Sequence, residues 1–106
     1  MNTGKYLPIG TTVLLKNVEN HPVTIVGFLA TTDDSNEIFD YCSYLYPYGL
    51  TEKAIYFNHD QIDKVIQLGY KSNNYNDFNT SLIDLKNNIQ GVFTVLTWFP
   101  ITYLSN

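Results

Sequence analysis

Residues Phe57 to Tyr70 read FNHDQIDKVIQLGY, and the conformation assigned to this block decides the fold. Asn58 stands where an N-cap belongs, Gln61 three residues on is the partner of a capping box, and Phe57 with Ile62 fill the two positions of a hydrophobic staple. Asp60 and Asp63 fall in the first turn, where the helix dipole favours anions. Ile62, Val65 and Ile66 form an apolar stripe, and Gly69 takes the left-handed C′ position, after which Tyr70 folds back on Val65. The spacing predicts a helix over this block.

Downstream, the polar stretch Lys71 to Asn76 leads into a second pattern in which Phe78, Leu82, Leu85 and Ile89 share one helical face. Upstream the period changes to that of strands. Thr11 to Lys16 (TTVLLK), set off by Pro8 and Gly10, predicts a first strand over about residues 10 to 17. Val23 to Ala30 (VTIVGFLA) resumes the β-rich pattern after the polar NVENHP, so the two runs read as an antiparallel hairpin, with Gly27 marking a bulge. TTDDSNE (Thr31 to Glu37) is turn chemistry, and Ile38 to Tyr48 gives a third strand heavy in aromatics. Val92 to Leu104 (VFTVLTWFPITYL) is strand-like but holds Pro100, which would interrupt a ladder. The expected fold is one α+β domain over residues 1–106: an antiparallel three-stranded meander, two helices, and a C-terminal strand-like segment.

In the third strand a period of two puts Tyr44, Tyr46 and Tyr48 on one face and Phe39, Tyr41 and Leu45 on the other. Helices cover only one face of such a meander. The other face is left to the C-terminal segment, to a second copy of the chain, or to another protein. Tyrosine suits the last, since it brings large contact area at low rotamer cost.

Composition removes several alternatives. The chain has 106 residues, 44% hydrophobic and 15% charged, enough for one compact core that buries roughly two-thirds of the unfolded surface. Six lysines, no arginine and ten acidic residues give a net charge of −4. A basic, arginine-rich patch for nucleic acid cannot be assembled from them. The sole cysteine, Cys42, excludes an internal disulfide, and the opening residues do not resemble a signal peptide, so a cytoplasmic protein is expected. Gly91 to Leu104 is shorter than a membrane-spanning helix.

Motifs for chemistry are sparse. On the predicted helix His59 and Asp63 form an i, i+4 pair, but a catalytic zinc needs a third ligand, and no metal or cofactor is expected. His21 precedes Pro22 in the hairpin connection, where a polar residue is ordinary, and Cys42 reads as an apolar thiol in a strand. The oxygen-rich Asp33–Asp34 loop lacks the glycine and length of an EF-hand. No phosphate loop, dinucleotide fingerprint or nucleophile elbow occurs in the sequence. The chain therefore reads as non-enzymatic.

Four blocks in order, LPIGTTVLL (Leu7 to Leu15), VTIVGFL (Val23 to Leu29), FDYCSYLYPYGL (Phe39 to Leu50) and FNHDQIDKVIQLGY, resemble a family of Gram-positive bacteria known as domain of unknown function 4176. The opening LPIG, the turn of Tyr46, Pro47 and Gly49, and the Phe-Asn-His start of the fourth block carry the likeness together. After Tyr70 the chain departs from it, being Asn-rich where members are often acidic. The resemblance implies a companion of type VII secretion loci, near toxins with a Leu-x-Gly N-terminal domain, and transfers no catalytic residue.

These readings give one leading expectation, a protein-binding accessory, acting as chaperone or targeting partner of such a toxin, whose contacts are Tyr44, Tyr46 and Tyr48, then Tyr56, Trp98 and Phe99. An immunity protein is the alternative, presenting Asp33, Asp34 and Glu37 to a basic cleft on the toxin. A small-molecule binder or enzyme would instead need a pocket between meander and helices lined by His59 or Cys42.

Overall fold

The computed structural model describes residues 6–32, 36–51 and 53–93. It holds five strands, a single turn of 3-10 helix and one α-helix: β1 (Thr12–Leu15), β2 (Val18–Ala30), β3 (Phe39–Leu45), β4 (Ile55–Phe57), the turn His59–Gln61, β5 (Ile62–Gln67) and α1 (Tyr75–Phe93). All pairings are antiparallel, in the order β4-β3-β2-β1-β5. The expected meander of β1, β2 and β3 is present, but the architecture is a five-stranded sheet with one helix, not three strands and two helices.

The correction falls on FNHDQIDKVIQLGY. Its start behaves as its residues demand: the Gln61 side chain accepts the Asn58 N–H at 2.7 Å, and one helical turn follows. Continuation fails because the carbonyls are claimed elsewhere. In an α-helix Gln61 O would accept from Val65 N–H; here it accepts from Lys16 N–H at 2.8 Å, and Ile62–Gln67 run on as a strand against β1. Of the stripe expected to be buried, Val65 and Ile66 are left exposed and only Ile62 packs against the core. Gly69 is not a left-handed cap either, and Tyr70 is exposed rather than folded back. The glycine serves close approach: a Cβ there would overlap the Ile9 carbonyl oxygen and lie 2.9 Å from Thr11 N.

The pairing register dictates the curl of the sheet. Val18 lies opposite Leu15 and Leu15 opposite Ile62, whereas Phe28 lies opposite Tyr41 and Tyr41 opposite Phe57. In a flat sheet the Val18 and Phe28 rows would stand about 33 Å apart, and the two edges about 19 Å apart. The chain from Phe57 to Ile62 spans at most about 18 Å even when fully extended. The sheet therefore bends along β2, which carries irregular backbone where bending is needed: Asn20 at φ 66, a bulge between Ile25 and Gly27, and Leu29 at φ 50. The bulge adjoins Gly27, the residue that signals it in the sequence.

The inner face collects Val13, Leu15, Val23, Ile25, Leu29, Tyr41 and Phe57, and Tyr6 and Leu82 join them. Leu82 and Ile89 of α1 are buried and Leu85 is half-buried, as the helical spacing predicts, while Phe78 of the same row is half in solvent. Each fully buried side chain of this kind contributes about 1.5–3 kcal/mol. Among the described residues no helix is long and apolar enough to cross a membrane.

Candidate functional site

β3 ends where Tyr46 meets Pro47 through a cis peptide bond. The turn is tied down by Tyr48 N–H and Gly49 N–H, which both donate to Leu45 O, and by Tyr46 N–H, which donates to Pro22 O at 2.9 Å. Gly49 takes φ 75, open to glycine without strain. Held this way, large side chains stand in water: Tyr46 is 57%, Tyr48 70% and Leu50 62% exposed. Tyr44, half-buried on the outer face opposite Thr24, meets Tyr46, Pro47 and Val26 around a hollow of about 250 Å³. The structure thus brings Tyr44 and Tyr46 together and leaves Tyr48 at the tip, but Tyr46 and Tyr48 belong to the turn rather than to a strand face.

The other expected contacts are dispersed. Tyr56 in β4 is half-buried opposite Cys42, its ring 5.9 Å from Phe39. Trp98 and Phe99 lie outside the described residues, as do Asp33, Asp34 and all but the first two residues of the strand-like segment expected over Val92 to Leu104; those two, Val92 and Phe93, belong to α1 and not to a strand. Glu37 is exposed just before β3.

A second, polar centre lies on the inner side. Asp40 is buried, and its carboxylate accepts from Lys86 Nζ at 2.5 Å, from Tyr6 Oη at 3.2 Å and from His59 N–H at 2.9 Å. Asn58 Oδ1 accepts the Asp40 N–H at 3.0 Å. Next to it Tyr41 Oη accepts the Leu7 N–H at 3.0 Å and lies 2.7 Å from His59 Nδ1. Burial, with Asp40 nearby, pushes the Tyr6 hydroxyl's pKa well above its ordinary value, and burial does the same to Tyr41. Burial lowers that of His59, against the opposing pull of Asp40. These groups join the N-terminal segment, β3, the 3-10 turn and α1.

His59 and Asp63 do not form the expected pair, because Asp63 is exposed on β5 while the imidazole is turned to Tyr41. The Cys42 thiol is half-buried, and burial pushes its pKa up. Among the described residues no group of three or more His, Cys, Asp or Glu is placed to hold a metal.

A groove of about 300 Å³ runs between Tyr6–Ile9, Phe28 and the first turns of α1. Phe28 contacts Phe78 edge-on at 5.6 Å, and Tyr70, Phe78 and Ile9 stand exposed along the groove. Neither this groove nor the tyrosine hollow is lined by His59 or Cys42. Sequence reasoning missed the groove and the Asp40 centre. The one available signal was an aspartate set inside the aromatic run IFDYC.

Among known families, residues 6–78 match the family described as domain of unknown function (DUF4176). No curated protein and no solved structure matches the chain.

Proposed function

The chain belongs to the DUF4176 family, and on that premise we propose that it is a non-enzymatic accessory that binds a protein partner through the tyrosine turn, the partner being a toxin with a Leu-x-Gly N-terminal domain exported by a type VII secretion system. The observation that supports this reading is the exposure of Tyr46, Tyr48 and Leu50 on a turn held by three backbone hydrogen bonds. Such a patch presents apolar area that is already ordered, so little entropy is lost when a partner covers it. Tyrosines of this kind dominate binding energy when they end in a desolvated centre, and truncating them raises the off-rate more than it slows association.

The test is binding of the purified chain to the toxin's N-terminal domain, followed by surface plasmon resonance. Tyr46→Ser and Tyr48→Ser together should weaken binding by tenfold or more, chiefly through the off-rate. An unchanged affinity removes the tyrosine turn as the contact. Absence of binding by the natural chain removes the toxin as the partner.

A further inference from the structure

The apolar groove and the polar centre share one element, the segment Tyr6–Ile9. Its ends are pinned independently. Tyr6 N–H donates to Asn79 Oδ1 at 2.6 Å and Tyr6 O accepts from Tyr75 Oη, while Gly10 N–H donates to Ile25 O at 2.8 Å. Between those pins, Leu7 N–H is held by the Tyr41 hydroxyl.

That hydroxyl has one proton, which lies in the ring plane and points to one side or the other. The oxygen has two partners, Leu7 N–H, a donor, at 3.0 Å and His59 Nδ1 at 2.7 Å. Accepting from Leu7 and donating to Nδ1 leaves no polar hydrogen unpaired, and it places the neutral imidazole's own proton on Nε2. A second proton on the imidazole would go to Nδ1 and set two donors against each other at 2.7 Å. Turning the hydroxyl away from Nδ1 takes its proton off the acceptor and leaves one oxygen to serve two donors, Leu7 N–H and Nδ1–H. The imidazolium then competes with the Leu7 amide for the Tyr41 oxygen, and the Leu7 hydrogen bond is weakened or lost.

We propose that His59 and Tyr41 form a proton-operated latch on the Leu7–Ile9 wall of the groove: protonation of the imidazole releases the Leu7 amide and loosens the wall between its two pins. The charged groups around the imidazole set the balance. Asp40 on β3 and Asp60 beside it favour the cation, Lys86 on α1 opposes it, and burial disfavours it. Tyr41 and Tyr6 stay protonated throughout the neutral range, their pKa values being raised, so of these three groups it is the imidazole that gains a proton as the pH falls. The latch shares no residue with the tyrosine turn.

The test is amide exchange by NMR on the natural chain between pH 7.5 and 5, with protection factors corrected for the intrinsic pH dependence of exchange. Gly10 N–H is the internal reference. Leu7 should lose protection about tenfold relative to Gly10 as the His59 ring signals titrate, the effect of one forfeited hydrogen bond. In His59→Gln, whose side chain still offers an acceptor, the Leu7 protection should not vary with pH. Constant Leu7 protection in the natural chain while His59 titrates overturns the latch, and so does the same pH-dependent loss in His59→Gln.

Discussion

Gly69 rests directly against the carbonyl oxygen of Ile9, so closely that a methyl group in place of its hydrogen would overlap that atom. The contact is backbone on backbone, so no side chain can swing away to relieve it. The same glycine donates its N–H to Thr11 Oγ1 at 2.9 Å, and together these contacts close the end of β5 onto the segment that leads into β1. Gly69→Ala should lower unfolding free energy by about 1–3 kcal/mol, the usual cost of overpacking. Chemical denaturation measures it, and an unaltered midpoint would show that the two segments are free to separate.

Thr11 supplies the other half of that closure. It is fully buried, and its hydroxyl is the acceptor for Gly69 N–H. Thr11→Val keeps the shape and removes the acceptor, which leaves the amide unpaired at a cost of about 1–3 kcal/mol. The Gly69 amide should also exchange faster with solvent. Because both substitutions act on one contact, the double variant should lose less than the two single losses combined.

Lys86 and Asp40 join α1 to β3, with the carboxylate buried and the ammonium partly in water. Lys86→Met should destabilise by about 3 kcal/mol, the lower end for breaking a buried pair, since it strands a buried carboxylate that retains the Tyr6 and His59 donors. Replacing both, as Lys86→Met with Asp40→Asn, should recover part of that loss. Recovery of stability in the double variant, read by thermal unfolding, separates a stranded charge from lost packing.

Stability should fall on mild acidification. The His59 pKa in the fold lies below its ordinary value of 6.5, burial being the main cause. The unfolded chain therefore binds the proton more readily than the folded one. The contribution is fully present above pH 6.5 and is lost as pH drops from there through the folded-state value. Comparing denaturation midpoints of the natural chain and His59→Gln at pH 7.5 and 5.5 isolates it: the natural chain should lose more stability than the variant over that interval.

The tyrosine turn should be silent in all of these measurements. Tyr46→Ser and Tyr48→Ser remove rings that are more than half in solvent, and changes at such sites usually stay within about 0.5 kcal/mol. A larger loss would make the rings structural supports of the turn and weaken their standing as a free contact surface.

Local chemistry was legible wherever neighbours in the chain are also neighbours in space. The meander, the bulge beside Gly27, the capping residues Asn58 and Gln61, and the Leu82–Leu85–Ile89 face of α1 all follow from spacing along a few residues. FNHDQIDKVIQLGY shows where such reading stops. Its first turn obeys the local signals, but IDKVIQ is also a sound strand sequence, rich in β-branched residues, and β1 would otherwise be a sheet edge. The choice rests on Lys16 N–H taking the carbonyl of Gln61, a contact made across 45 residues of chain, which no local period encodes.

The candidate surfaces divide in the same way. Aromatic content and the Tyr-Pro-x-Gly turn are written in the order of residues, and so is membership of the family over residues 6–78. That Asp40 meets Lys86, that Tyr41 meets both Leu7 and His59, and that Tyr6–Ile9 and Phe78 face each other across a groove arise only once the sheet has curled. Curling is a requirement of closure, since a five-residue step from β4 to β5 cannot span a flat sheet, and it brings together groups with no sequence relation to one another.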